Sequence, residues 1–147
     1  NYLGTEGLDA VRVRRFHNNF YGIFQISDKF GMITGFDYGT QQVAKGNNET
    51  HEVLSPVIIA QYKFNPKWVL AGRFEYYEDV NGVIIATGTP EGFKTTGYSM
   101  NIDYWPVSNA VLRLEGKVFD SKDKIFVRET IPVSNSSTLT ASIAVSF

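Results

Sequence analysis

Residues 68–77 read WVLAGRFEYY, and the chemistry of their side chains changes at every second position. Trp68, Leu70, Gly72, Phe74 and Tyr76 fall on one side of an extended chain, with Val69, Ala71, Arg73, Glu75 and Tyr77 on the other. A strand turns successive side chains to opposite faces. A period of two with charge on one parity therefore marks a strand with one apolar and one wet face.

The same split recurs along the chain, whereas helical spacing fails nearly everywhere. At 30–38, Phe30, Met32, Thr34, Phe36 and Tyr38 oppose Gly31, Ile33, Gly35 and Asp37; at 98–105, Tyr98, Met100, Ile102 and Tyr104 oppose Ser99, Asn101, Asp103 and Trp105. Leu112, Leu114 and Val118 oppose Arg113, Glu115 and Lys117, and the last stretch sets Leu139, Ala141, Ile143, Val145 and Phe147 against Thr138, Thr140, Ser142, Ala144 and Ser146. Two less sharp stretches, 16–26 and 56–64, bring the strands to seven. Tight turns at 27–29, 65–67 and 106–109 alternate with long polar loops at about 41–55, 80–93 and 120–137, a hairpin unit repeating about every forty residues. Residues 1–17 read as a loop entering the first strand, and 18–147 as a meander of hairpins within one unit, 1–147, that shows no interdomain linker.

Composition narrows the classes. The chain has 147 residues, 43% hydrophobic, with 14 basic against 15 acidic side chains and no cysteine, and its mean hydropathy is -0.16. Such balance lacks the basic footprint of nucleic-acid binding. The longest apolar runs, at 57–60 and 83–86, are far short of the ~18 residues of a spanning helix. Absence of cysteine removes disulfides and thiolate metal sites. The chain begins at Asn1 with no signal-peptide pattern, so it is expected to be processed or a piece of a longer one.

Alternation alone leaves open whether the apolar face meets a protein core or lipid, since soluble sandwiches and barrels also alternate. Three features favour lipid. Aromatic residues cap the apolar faces near both ends, at Phe30, Trp68, Tyr76, Tyr104 and Phe147. Eight residues at ~3.3 Å, tilted by ~40°, set such girdles about 20 Å apart, near the ~25 Å apolar band of a membrane barrel. Loops are short on one side and long on the other, as in outer-membrane barrels. The chain also ends on Phe147, in phase with the apolar face of the last strand.

The segments 20–39, 60–79 (AQYKFNPKWVLAGRFEYYED) and 102–123 (IDYWPVSNAVLRLEGKVFDSKD) resemble the C-terminal portion of the OmpL-like outer-membrane β-barrel porin family of Bacteroidetes-type bacteria. The likeness covers about residues 16–147 and is most specific at 70–79 and 112–123. It implies an all-β, antiparallel up-and-down transmembrane barrel. With about seven strands present, the chain is expected to be the C-terminal portion of a larger even-stranded barrel, completed by the remaining strands of the same barrel. Short turns would then face the periplasm and long loops the outside.

If the apolar faces meet lipid, the charges on the opposite faces line a lumen: Asp37, Lys63, Arg73, Glu75, Asp103, Arg113, Glu115 and Lys117. Arg73, Arg113 and Lys117 against Glu75, Asp103 and Glu115 form a polar wall that screens solutes by size and charge. The plainer reading, of equal weight, is that they pair across strands to satisfy one another.

Catalysis has little support. The two histidines, His17 and His51, read as solvated residues in loops or at a strand end. Asp120 and Asp123 lack the dense oxygen pattern of a calcium loop, no phosphate-cradling or dinucleotide fingerprint occurs, and no cofactor or metal is expected. Sequons at Asn48 and Asn135 read as coincidence in loops. The run Arg12, Arg14, Arg15 reads as a solvated loop, with contact to lipopolysaccharide phosphates as the sharper alternative. The expected protein is a porin of the bacterial outer membrane passing small hydrophilic solutes by passive diffusion. Its alternative is a non-conducting barrel serving as anchor or subunit of an envelope complex. Partners are outer-membrane lipid and either a homo-oligomer or that complex.

Overall fold

The computed structural model describes the backbone of residues 2–6 and 11–147 and the side chains of residues 11–147. Alternating side chains favour extended backbone, and each strand finds the next through a turn, so the chain lays down one meander. Its strands are β1 (Tyr2–Glu6), β2 (Val13–Gln25), β3 (Phe30–Gln42), β4 (Thr50–Asn65), β5 (Trp68–Asp79), β6 (Phe93–Val107), β7 (Ala110–Ser121), β8 (Phe126–Arg128), β9 (Ile131–Val133) and β10 (Asn135–Val145). Eight form a single sheet in the order β1-β2-β3-β4-β5-β6-β7-β10, every neighbour antiparallel. β8 and β9 make a separate small hairpin inside the last long loop. Its turn residues Glu129 and Thr130 both have positive φ, 49° and 80°, the backbone of a two-residue hairpin turn.

The seven strands expected from alternation are β2 to β7 and β10. β1 is an eighth, lying where residues 1–17 were expected to be loop: its five residues pair with His17 to Val13 of β2. The strands also run further toward the long loops than the apolar pattern indicates. β2 starts at Val13, and β4 starts at Thr50 and spans 16 residues, so the loop after β3 shrinks to 43–49. In these extensions backbone pairing continues through polar side chains such as Gln41 against His51 and Thr40 against Glu52. β10 ends at Val145, and the Ser146 N–H still donates to the Asn109 carbonyl at 2.9 Å.

The register keeps parity across the whole sheet. One row runs Phe36, Pro56 and, one pair along, Ile58, Phe74, Tyr98 and Val118; another runs Trp68, Tyr104, Leu112 and Ile143. No second layer covers this apolar face. Among the described residues the one buried hydrophobic side chain is Val53, while Phe20, Phe74, Met100, Leu114, Leu139 and Ile143 are exposed, the last at 72%. The sheet is open, with β1 and β10 as its two edges.

An uncovered apolar face this large associates in water. The full-length protein is therefore expected to need detergent or lipid to remain monodisperse, which size-exclusion chromatography with and without detergent tests; a stable monodisperse species in plain buffer contradicts the one-layer arrangement.

Candidate functional site

The two faces differ in chemistry from strand to strand, and the registers place every candidate residue. Asp37, Lys63, Arg73, Glu75, Asp103, Arg113, Glu115 and Lys117 share one face of the sheet. Phe30, Trp68, Tyr76 and Tyr104 lie on the other. Phe147 lies beyond the end of β10, fully exposed.

On the apolar face the aromatics mark two levels. At the short-turn end Trp68 stacks on Tyr104, with ring centres 4.6 Å apart, and Tyr62 meets Phe64 edge-on at 5.2 Å. At the long-loop end Tyr38 donates its hydroxyl to Glu52 at 2.8 Å and Tyr76 donates to Glu78 at 2.6 Å. Lys94 completes this rim with ion pairs to Glu78 at 3.4 Å and Glu91 at 3.6 Å. Tyrosines with an apolar ring inward and a hydrogen-bonded hydroxyl outward suit a boundary between apolar and aqueous surroundings.

The charged face is divided into clusters. Near the short turns, Asp103 is nearly buried and accepts a two-pronged pair from Arg113, Nε at 2.7 Å and Nη2 at 2.6 Å, plus the Asn101 amide at 2.8 Å. Mid-sheet, Glu75 accepts Arg73 on one oxygen and Lys117 at 3.0 Å on the other. Lys117 also lies 4.4 Å from the centre of the Phe119 ring. Gly97 makes this cluster possible, because a Cβ there would stand 2.7 Å from Glu75 Cγ and 2.8 Å from the Phe119 ring. On β2 and β3, Asp37 accepts the Asn19 amide at 2.6 Å and has His17 Nε2 at 3.6 Å. The expected opposition of charges is thus largely mutual pairing, with Arg113 on Asp103 and Lys117 on Glu75 between strands and Arg73 on Glu75 within β5.

Several residues stand elsewhere than their sequence context indicated. His17 lies within β2, not in a loop, whereas His51, the second residue of β4, stands at a strand end as expected. Arg14 and Arg15 belong to β2. Asp123 accepts the Glu91 N–H at 2.8 Å, joining two loops, and Asn135 opens β10, where it accepts Arg128 at 2.9 Å. Not all of the charged face is polar: Tyr21, Ile23, Ile33, Val57 and Ile59 share it on β2 to β4.

The long-loop end of this face holds a feature that sequence reading missed. Asp79, the last residue of β5, is fully buried, and its carboxylate accepts the N–H groups of Val83 at 2.8 Å, Ile84 at 2.7 Å and Ile85 at 2.8 Å. Gly92 closes the far side of loop 80–92 with φ 63°; a Cβ there would sit 2.2 Å from the Val80 carbonyl oxygen. So folded, the loop reaches across the sheet, where Arg15 of β2 donates to the Val83 carbonyl at 3.1 Å and also holds Gln41. From β5 to β2 is three inter-strand steps of ~4.8 Å, about 14 Å across the charged face. The sequence signal was only an Asp before a Val-Asn-Gly turn.

A single-layer antiparallel meander with an uncovered aromatic-rimmed apolar face, a paired charged face and all short turns at one end is the wall of an outer-membrane-type β-barrel. The family model described as "Putative beta-barrel porin-2, OmpL-like" matches residues 1–147, and the chain belongs to that family. Porins are a non-enzyme kind of protein, and the family implies the outer membrane. Neither a curated protein nor a solved structure matches the chain.

Loop 80–92 depends on one carboxylate. Asp79→Ala removes three charge-assisted acceptor contacts of ~1.5–3 kcal/mol each, so peptide bonds within 80–92 should become open to protease in the otherwise folded protein, with Asp79→Asn intermediate. Unchanged cleavage in Asp79→Ala would show that the loop is held by something else.

Proposed function

We propose that this chain forms part of the wall of a passive diffusion porin in a bacterial outer membrane, with its apolar face toward lipid and its charged face toward an aqueous lumen. The observation that carries this reading is the segregation of faces: strand charges occupy one parity, and the other carries charge only at the long-loop rim, at residues such as Glu52, Glu78 and Lys94. Backbone groups in lipid must all be paired, so the free edges of β1 and β10 are where closure of the barrel is made. Small hydrophilic solutes pass along the wall formed by Asp37, Lys63, Arg73, Glu75, Asp103, Arg113, Glu115 and Lys117, and loop 80–92 narrows the passage from the long-loop side.

One observation favours a second reading, a non-conducting barrel that anchors an envelope complex. Tyr21 and Ile23 are 72% and 71% exposed on the charged face, and an apolar patch there suits a lumen filled by another segment or partner.

Full-length protein in planar bilayers separates the two. Stepwise conductance is expected, rising when 82–86 are deleted from the loop; silence in repeated, verified insertions supports the closed barrel. Orientation has its own test. Leu114→Arg, mid-band on the apolar face, should cost roughly 2–4 kcal/mol of folding free energy in phospholipid vesicles. Thr140→Arg, opposite Glu115 on the charged face, should cost less than about 1 kcal/mol. Equal costs in denaturant titrations contradict the assignment of faces.

A further inference from the structure

At the short-turn end of the charged face lies a concavity of about 700 Å³ lined by Gln61, Lys63, Lys67, Asp103, Trp105 and Arg113, with Pro66 and Pro106 at its rim. Two irregularities in the ladder adjoin it. The pairing of β4 with β5 shifts between Lys63 and Asn65, and that of β6 with β7 shifts between Tyr104 and Val107. Such shifts bend strands and re-aim side chains. The Trp105 N–H donates to the Lys67 carbonyl at 2.9 Å, tying the β4–β5 turn against β6.

Charge inside the concavity is unevenly satisfied. Arg113 spends its fork on Asp103, which also holds Asn101. Lys63 and Lys67 are exposed, and among the described residues neither ammonium has a carboxylate within ion-pair distance. Three cationic side chains against one anionic leave a local charge of +2. Elsewhere on this face Arg73 and Lys117 share Glu75, and with Glu115 on the same face these four charges sum to zero, so the excess lies at this end. Trp105, half-buried between the two lysines' turn and Arg113, adds a flat apolar surface.

We infer that this concavity is a subsite for small organic anions: an anionic group on the Lys63 and Lys67 ammoniums, and a planar apolar body against the Trp105 indole. Volume and mixed lining match a small-molecule site, and lysine ammoniums serve as point charges for carboxylate or phosphate. Its occupants reach it through the lumen, which rests on the porin reading above. The lysines make the channel anion-preferring at this end, as basic rings do in anion pores.

The test uses full-length protein in neutral phosphatidylcholine bilayers, with potassium chloride carrying the current and sodium benzoate added from the short-turn side. Benzoate should reduce conductance in a saturable way and benzyl alcohol should not. Lys63→Gln with Lys67→Gln should raise the half-blocking concentration about tenfold, equivalent to about 1.4 kcal/mol, and shift the reversal potential in a salt gradient toward cations. Trp105→Leu should weaken benzoate block and leave that potential unchanged. Lys29→Gln, in a neighbouring turn outside the concavity, should do neither. Unaltered block in the double variant, or an equal loss in Lys29→Gln, overturns the subsite.

A second arm works without conductance. In detergent, the part of the tryptophan emission lost in Trp105→Phe should respond to benzoate in the parent protein and not in the lysine double variant. A protein that fails to conduct yet gives this response sinks the porin reading and keeps the subsite. A conducting protein without it sinks the subsite alone, and a response to phosphatidylglycerol instead of benzoate overturns it in favour of a lipid headgroup site.

Discussion

Everything in this molecule depends on a single hydrogen-bonded ladder that must keep its register without a core behind it. In a soluble sandwich a second layer buries the apolar face and supplies most of the stabilisation. Here Val53 is the buried hydrophobic side chain among the described residues, so burial has to come from outside the chain. On the reading proposed above, a hydrocarbon environment supplies it and at the same time forbids unpaired backbone. Register is then strongly specified: a slip of one residue would turn Arg73, Glu75 and Asp103 into the apolar face. The consistent parity from β2 to β10 is the result.

Pairing on the charged face follows from the same geometry. Strands carry side chains of one parity side by side, so Asp103 meets Arg113 directly across β6 and β7, while Glu75 reaches its lysine over the gap at Gly97. These fixed pairs make the wall electrostatically quiet through its middle. What remains unneutralised concentrates at Lys63 and Lys67, where the ladder is irregular and cross-strand partners are missing. On the porin reading proposed above, a wall of this design selects by where its charge is left over.

The two ends are built by different physics. Short turns need little beyond residues tolerant of tight geometry, whereas the long-loop end is organised by buried polar groups. Asp79 substitutes for the missing backbone partners of Val83, Ile84 and Ile85. Arg15 then holds the loop from three strands away. Because both contacts face the same side of the sheet, the loop lies over the charged face and not over the apolar one.

Alternation in stretches such as 68–77 was enough to determine the strands, their faces, the side on which each charge lies, and the ends carrying short and long loops, because a strand's period of two is a local property of the backbone. It did not reveal β1, the upward extension of β2 and β4, or the hairpin of β8 and β9. There polar side chains carry no alternation, and pairing with a neighbour decides the conformation. Nor could it say which of eight charged residues pair, since Glu75 and Lys117 are 42 positions apart in sequence and meet only through register. The anchoring of loop 80–92 by Asp79 and Arg15, and the concavity around Lys63, Lys67 and Trp105, belong wholly to tertiary structure: each needs groups from strands that only the folded sheet brings to the same end.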